Sequence, residues 1–443
     1  MGSNAGMGTT TTMASPSVRR TLVDAACMGL QPLALSALSL PAMAYIIHQM
    51  GSERFAQWTA SSALLTVFSM LANLGLRSSY IRTIAAQPAC VTHALAEQLS
   101  LRMALTIPAG ALVMVTCMIL GYPAPVLHCA AIAVVGLAFT TAATTFADTL
   151  QSFGRVRALA GINAVAGVTL TGASVVAARW DASPEWMAAA YLVGPALSAV
   201  LSWRLVSRRI CHVSLRWAPG RFTRLLRDAR HFAAQQVLVV GSAQIEGLIS
   251  PRWLGMVPFG SFAAGASVAN RLVVLPDALC TVAFPWMVRA YRASLREGAR
   301  VAMRCLVIAV VSGVAVGLVG VLIARPLGDL LLPARAETFA FVMRVTIWAI
   351  PLLGIELVLG YALNAAGGEA AQARLAVPAA VLTLGASVVL VRTMGIEGAC
   401  WSMVARPAVR AAILAPATIR RYRDRANEAR PASLERAPLR RAG

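Results

Sequence analysis

From residue 22 to residue 418 the chain is a succession of apolar runs, each of about 20 residues and each closed by a short polar break. A helix of that length crosses the roughly 30 Å of a bilayer's hydrocarbon, and no soluble domain of ordinary size fits between the runs. With 58% hydrophobic and 13% charged residues and a mean hydropathy of +0.69, the 443-residue chain is too apolar for a soluble globule. The expected fold is an all-α integral membrane protein of about 12 transmembrane helices, over 22-49, 57-82, 101-121, 127-151, 157-179, 186-206, 231-250, 258-288, 301-324, 338-362, 370-391 and 396-418.

The arginines orient these helices. With the N-terminus inside, the cytoplasmic segments collect Arg19, Arg20, Arg82, Arg102, Arg155, Arg157, the cluster from Arg204 to Arg230, the series from Arg289 to Arg304, Arg374 and the tail from Arg420 to Arg441. The opposite loops hold only Arg54, Arg179, Arg252, Arg325, Arg335 and Arg392. This bias follows the positive-inside rule and places both termini in the cytoplasm. The implied units are a disordered leader over 1-17, a six-helix bundle over 18-206, a basic linker over 207-230, a second six-helix bundle over 231-418 and a basic tail over 419-443. Within the linker, Phe222, Leu225 and Leu226 share one helical face and Arg221, Arg224 and Arg227 surround the other. That pattern suits either a short helix on anionic membrane lipids or a solvated connection.

The net charge of +21 is dispersed over loops, without the patch or the interleaved aromatics of a nucleic-acid binder. Eight scattered cysteines form no Cys-x-x-Cys pair, and the five histidines have no ligand spacing, so neither a disulfide framework nor a metal centre is indicated. A phosphate-binding loop and a His-Glu-x-x-His motif are likewise missing, and no cofactor is expected. The reading is a transporter, not an enzyme. A multispanning polymerase or ligase would be expected to carry a long external loop, whereas the outer breaks are short.

The chain repeats itself. Met50-Gly51-Ser52-Glu53-Arg54-Phe55-Ala56-Gln57-Trp58 matches Leu254-Gly255-Met256-Val257-Pro258-Phe259-Gly260-Ser261-Phe262 at an offset of 204 residues, and the same offset sets Asn73 opposite Asp277. Two six-helix units that both begin inside are parallel repeats, related by a pseudo-twofold along the membrane normal, and such pairs enclose a central cavity.

A charge near the bilayer centre costs on the order of 3 kcal/mol, so those retained face a cavity or a partner. Asp24, Arg77, Glu246, Arg271, Asp277, Arg344, Glu356, Arg406 and Arg410 are the candidates. Arg271 corresponds to Val67 in the first half, so its charge is an addition to the duplicated plan. Its alternative reading is an ion pair with Asp277 or Glu246. Gln235, Ser242 and Glu246 form a polar stripe on one helix face. Arg406 and Arg410 are expected at the cytoplasmic interface.

The stretch Leu71-Ala72-Asn73-Leu74-Gly75-Leu76-Arg77-Ser78-Ser79-Tyr80-Ile81-Arg82, and still more the segment from Trp253 to Arg292 with its Phe284-Pro285 pair, resembles polysaccharide-repeat-unit flippases of the multidrug/oligosaccharidyl-lipid/polysaccharide (MOP) exporter superfamily. The resemblance implies two bundles in a V, opening alternately to each side of a bacterial inner membrane. The implied cargo is an undecaprenyl-pyrophosphate-linked oligosaccharide, and polysaccharide polymerase and export machinery are the implied protein partners. On that basis Arg271, Arg77, Gln235, Ser242 and Arg344 are candidates for binding the cargo. Arg271 leads because its planar fork binds phosphate oxygens bidentately. Glu246, Asp277 and Glu356 are candidates for ion coupling. A multidrug or other lipid exporter of the same superfamily, and a membrane assembly protein that transports nothing, are the alternatives.

Overall fold

The computed structural model describes residues 18–73, 76, 77, 80, 84, 88–216, 222, 223 and 241–429, and among them there are helices and turns but no strand. Helix α1, Val18–Asn73, is interrupted at Gly51, where φ is 68° and ψ 179°. The same backbone state recurs at Gly255, with φ 83° and ψ 161°, between α6, Ile245–Leu254, and α7, Met256–Leu272. Positive φ with extended ψ is open only to glycine without strain, so the repeated glycine of the sequence is a repeated conformation. The expected polar break between the first two helices is therefore a one-residue kink.

Between these kinks lie α2, Val91–Ile119; α3, Ala124–Ser152; α4, Val156–Trp180; and α5, Pro184–Arg209. After α7 come α8, Val274–Ala293; α9, Leu295–Leu331; α10, Ala336–Thr346; α11, Ala349–Ala365; α12, Glu369–Met394; and α13, Ile396–Ala429. Among the described residues eight helices are long and apolar enough to cross a membrane. The expected helices over 258-288 and 338-362 are each broken once, at Val273 and at Ile347-Trp348. In both cases a proline, Pro276 or Pro351, stands in the first turn of the following helix. Its ring excludes the backbone bond that would have continued the preceding one.

Large apolar side chains such as Ile107, Met118, Val311 and Leu322 stay exposed on the helices' outer faces, as a lipid-facing surface requires. Close crossings use small residues: Gly313 and Gly320 of α9 sit against Pro351 and Ile347, leaving no room for a Cβ.

The apolar core is distributed unevenly along the helices. At the end that carries the Gly51 and Gly255 kinks, one cluster joins both halves, with Met50, Phe55, Trp58 and Tyr122 of the first and Phe259, Phe262, Leu332 and Phe339 of the second. Tyr122 donates to the Leu248 carbonyl across the halves at 2.8 Å. Burial pushes this phenol up, so it stays protonated as a donor. His48 Nδ1 lies 3.1 Å from the Leu330 carbonyl. At the opposite end the core divides. Tyr80, Leu95, Phe146 and Leu150 form a cluster of the first half, and Cys280, Met287, Cys305 and Val358 one of the second. The halves thus share one core at the kinked end and have separate cores toward the end where α1 begins and α13 ends.

The described part of the linker packs on the first half. Ile210, Cys211 and Val213 lie on its core, Phe222 is buried with Leu76 and Leu101, and the Arg216 amide donates to Ser100 Oγ at 2.8 Å. Leu225 and Leu226 lie outside the described residues.

Gly260 is where the two repeats touch: a Cβ there would overlap the Ser52 carbonyl. Gly260→Val should therefore force the joined end apart. A pair of cysteines introduced beside this contact, one on α1 and one on α7, reports the separation directly. The pair is expected to crosslink readily when glycine stands at position 260, and at least several-fold less when Gly260→Val is added.

Candidate functional site

Ala63 of α1 packs directly on Gly247 of α6, where an added Cβ would lie 2.7 Å from the Ala63 side chain. One turn further from the kink, on the same helical face, Thr66 is exposed, and Ser69, Asn73 and Arg77 continue the stripe. All four are polar. The repeat-related segment does the same: Gly260 touches the first half, while Asn270, near the end of α7, and Asp277, in the first turn of α8, are exposed. Exposed polar side chains on spanning helices belong to a water-filled cavity, since hydrocarbon would penalise each of them. These two stripes are the surfaces that a cleft between the halves would use as its walls.

Arg271, next to Asn270, bridges the two halves. It lies about 24 Å of helical rise from Gly255, and its partner Ser39 about 18 Å from Gly51, so both lie well inside the spanning helices. Arg271 Nη1 donates to Ser39 Oγ at 2.9 Å across the halves. Neither Asp277 nor Glu246 is its counterion: among the described residues Arg271 has no carboxylate within ion-pair distance.

The other arginines at depth are compensated. In the second half, Arg406 of α13 pairs with Glu246 at 3.1 Å, and Arg410, one turn on, pairs with Glu356 of α11 at 3.1 Å. The sequence places both arginines at the membrane interface. The structure instead turns them inward, because each meets an acid on a neighbouring helix. Glu246 Oε1 also accepts from Ser402 at 2.8 Å and Ser387 at 3.3 Å. Ser242 is fully buried beside it.

In the first half, a network that the sequence reading missed centres on Asp148 of α3. Its carboxylate accepts from Arg102 Nη2 at 3.0 Å and from Arg77 Nε at 3.0 Å, and Arg102 Nη1 also donates to Thr145 at 3.2 Å. The charge bias assigns Arg102 to a cytoplasmic segment, yet it is only 1% exposed. Arg77 reaches from the cleft wall, 60% exposed, with a second bond to Gln151 Oε1 at 2.7 Å. Two arginines on one carboxylate leave one positive charge at the cleft's mouth. The spacing Thr141, Thr145, Asp148, Thr149 on a single face was the available signal.

Arg344 lies apart from the cleft. It is exposed on α10 and lines a separate cavity of about 230 Å³ with Arg325 and Glu337, near the joined end. Gln235 lies outside the described residues, as does the side chain of Asp24. Among the described residues no group of three His, Cys, Asp or Glu side chains is placed to hold a metal ion.

Residues 33–291, more than half of the chain, match the family model described as polysaccharide biosynthesis protein. The chain belongs to that family, within the MOP superfamily. Solved structures share its fold. A multidrug resistance MATE family transporter of the MOP superfamily, in its inward-facing conformation, superposes with a TM-score of 0.70 at 14% identity over 89% of this chain and 98% of the other. The outward-facing conformation of such a transporter gives 0.59 at 15% identity over 92% and 96%. A MOP superfamily transporter from Pyrococcus furiosus, described as having a binding pocket of reverse polarity that suggests a different function, gives 0.62 at 13% identity over 91% and 96%. No curated protein matches the chain. The protein is thus a multi-pass membrane protein of the MOP superfamily.

Proposed function

We propose that the protein carries lipid-linked oligosaccharide, joined to its undecaprenyl chain through pyrophosphate, from the cytoplasmic to the periplasmic leaflet of a bacterial inner membrane. The observation that carries this reading is Arg271, which bridges the halves through Ser39 and has no carboxylate partner among the described residues, whereas Arg77, the other arginine of the polar stripes, is paired with Asp148. A diphosphate supplies the missing negative charge, and oligosaccharide hydroxyls suit Thr66, Ser69, Asn73 and Asn270. A cleft built for cationic drugs would place acids where Arg271 stands.

The parting of the halves toward the arginine-rich termini supports a state open to the cytoplasm, and the better superposition on the inward-facing transporter agrees with it. Asp277, exposed in the cleft and without a basic partner among the described residues, is the acid best placed to exchange a proton with the gradient that drives the cycle. The basic linker and tail meet anionic lipids at that surface. Protein partners of the reading are the polymerase and export machinery that use the translocated unit.

A deletion strain tests the assignment. Lipid-linked oligosaccharide is expected to build up on the cytoplasmic side, with surface polysaccharide lost. Unchanged lipid-linked sugar together with new sensitivity to cationic drugs would favour the multidrug reading instead.

A further inference from the structure

Arg406 does more than neutralise Glu246. Its Nη1 atom is held by three oxygens: the Ala243 carbonyl at 2.9 Å, the Glu246 Oε2 at 3.1 Å and the Ser242 carbonyl at 3.3 Å. The helical segment through Gly241 and Ala243 stops at Gln244, and α6 restarts at Ile245. A helix end leaves its last carbonyls without intrahelical donors, and its dipole favours a positive charge there. Ser402 and Ser387, from α13 and α12, donate their hydroxyls to the other carboxylate oxygen and so fix its orientation. One carboxylate and two carbonyl oxygens converging on one point are the ligand types of a hard cation.

We propose that this cage is a monovalent-cation site whose cation is the chain's own Arg406 Nη1, so that Glu246 takes up no diffusible ion while Arg406 is in place. The guanidinium is permanently charged, and its stem is anchored on α13. The helix break at Gln244 and the last helix are thereby held together by a fixed charge, and the joint is indifferent to the salt composition outside. Coupling to an ion gradient then falls to an acid in the cleft. The inference is independent of which cargo is carried.

The test is the thermal unfolding midpoint of the full-length protein in nanodiscs, in NaCl, KCl or choline chloride at one ionic strength. The wild type is expected to unfold at the same temperature in all three. Arg406→Ser vacates the Nη1 position and is expected to acquire a saturable stabilisation by Na⁺ or K⁺ that choline does not give, following the logarithm of ion concentration. Adding Glu246→Gln to that variant should abolish it. Arg406→Lys, whose ammonium can take the same place, should remain insensitive, and it decides the matter if the serine variant does not fold. A wild type stabilised by Na⁺ and desensitised by Glu246→Gln would overturn the proposal. So would a folded Arg406→Ser that responds equally to all three salts, or an Arg406→Lys that Na⁺ stabilises.

Discussion

Arg271→Ala is expected to lower export of surface polysaccharide by roughly 10- to 100-fold while the protein still reaches the membrane, because an arginine–phosphate hydrogen bond contributes about 1.5–3 kcal/mol. Among the described residues the side chain makes one bond, to the neutral Ser39 hydroxyl, so its removal strands no described charge and should cost little stability. Arg271→Lys keeps the charge without the bidentate fork and should fall between the two. Ser39→Ala removes the one side-chain bond that positions the guanidinium among the described residues, and a several-fold loss is expected from it. Membrane abundance by immunoblot, measured beside export, separates loss of function from loss of protein.

Asp148→Ala should act in the opposite way, on stability. Arg102 is enclosed between α2 and α3, and Asp148 is its carboxylate. Breaking a buried pair by deleting one partner costs about 3–5 kcal/mol, since the remaining charge is stranded. The variant should be cleared from the membrane or unfold well below the wild type. Pairing it with Arg102→Leu removes the stranded charge and is expected to restore much of the folded protein. If Asp148→Ala accumulates to normal levels and only transport is lost, the acid belongs to the transport cycle and not to the scaffold.

These two residues mark what was legible in the sequence. Spanning helices were readable because hydrocarbon imposes their length and composition. The duplicated turn was readable because Gly51 and Gly255 need a backbone state that few residues tolerate. Arg271 stood out because it broke the repeat. Asp148 and Arg102 were hidden because hydropathy shortens a helix at its polar end. The helix expected from 101 begins at Val91, which puts Arg102 three turns inside and not at a boundary. Pairings such as Arg410 with Glu356 depend on which helices are neighbours, and a single sequence does not state that. The break at Val273 was announced by Pro276, although a proline alone does not say whether a helix bends or stops.

The separation of the halves shares this logic. Ala63 and Gly247 allow contact because both are small, and the polar Thr66 one turn on is exposed. A transporter that rocks about the joined end would keep the Phe55, Trp58, Phe259 and Phe262 cluster as the part that must repack in the alternate state.

The most direct test of the central claim is translocation in proteoliposomes containing the purified protein, with an undecaprenyl-pyrophosphate-linked sugar as cargo and a cationic dye in parallel. Wild type is expected to move the lipid diphosphate and not the dye, and Arg271→Ala to slow that movement by roughly 10- to 100-fold, in line with a lost charge-assisted bond. Movement of the lipid diphosphate at the wild-type rate by Arg271→Ala, or transport of the dye in its place, would contradict the account.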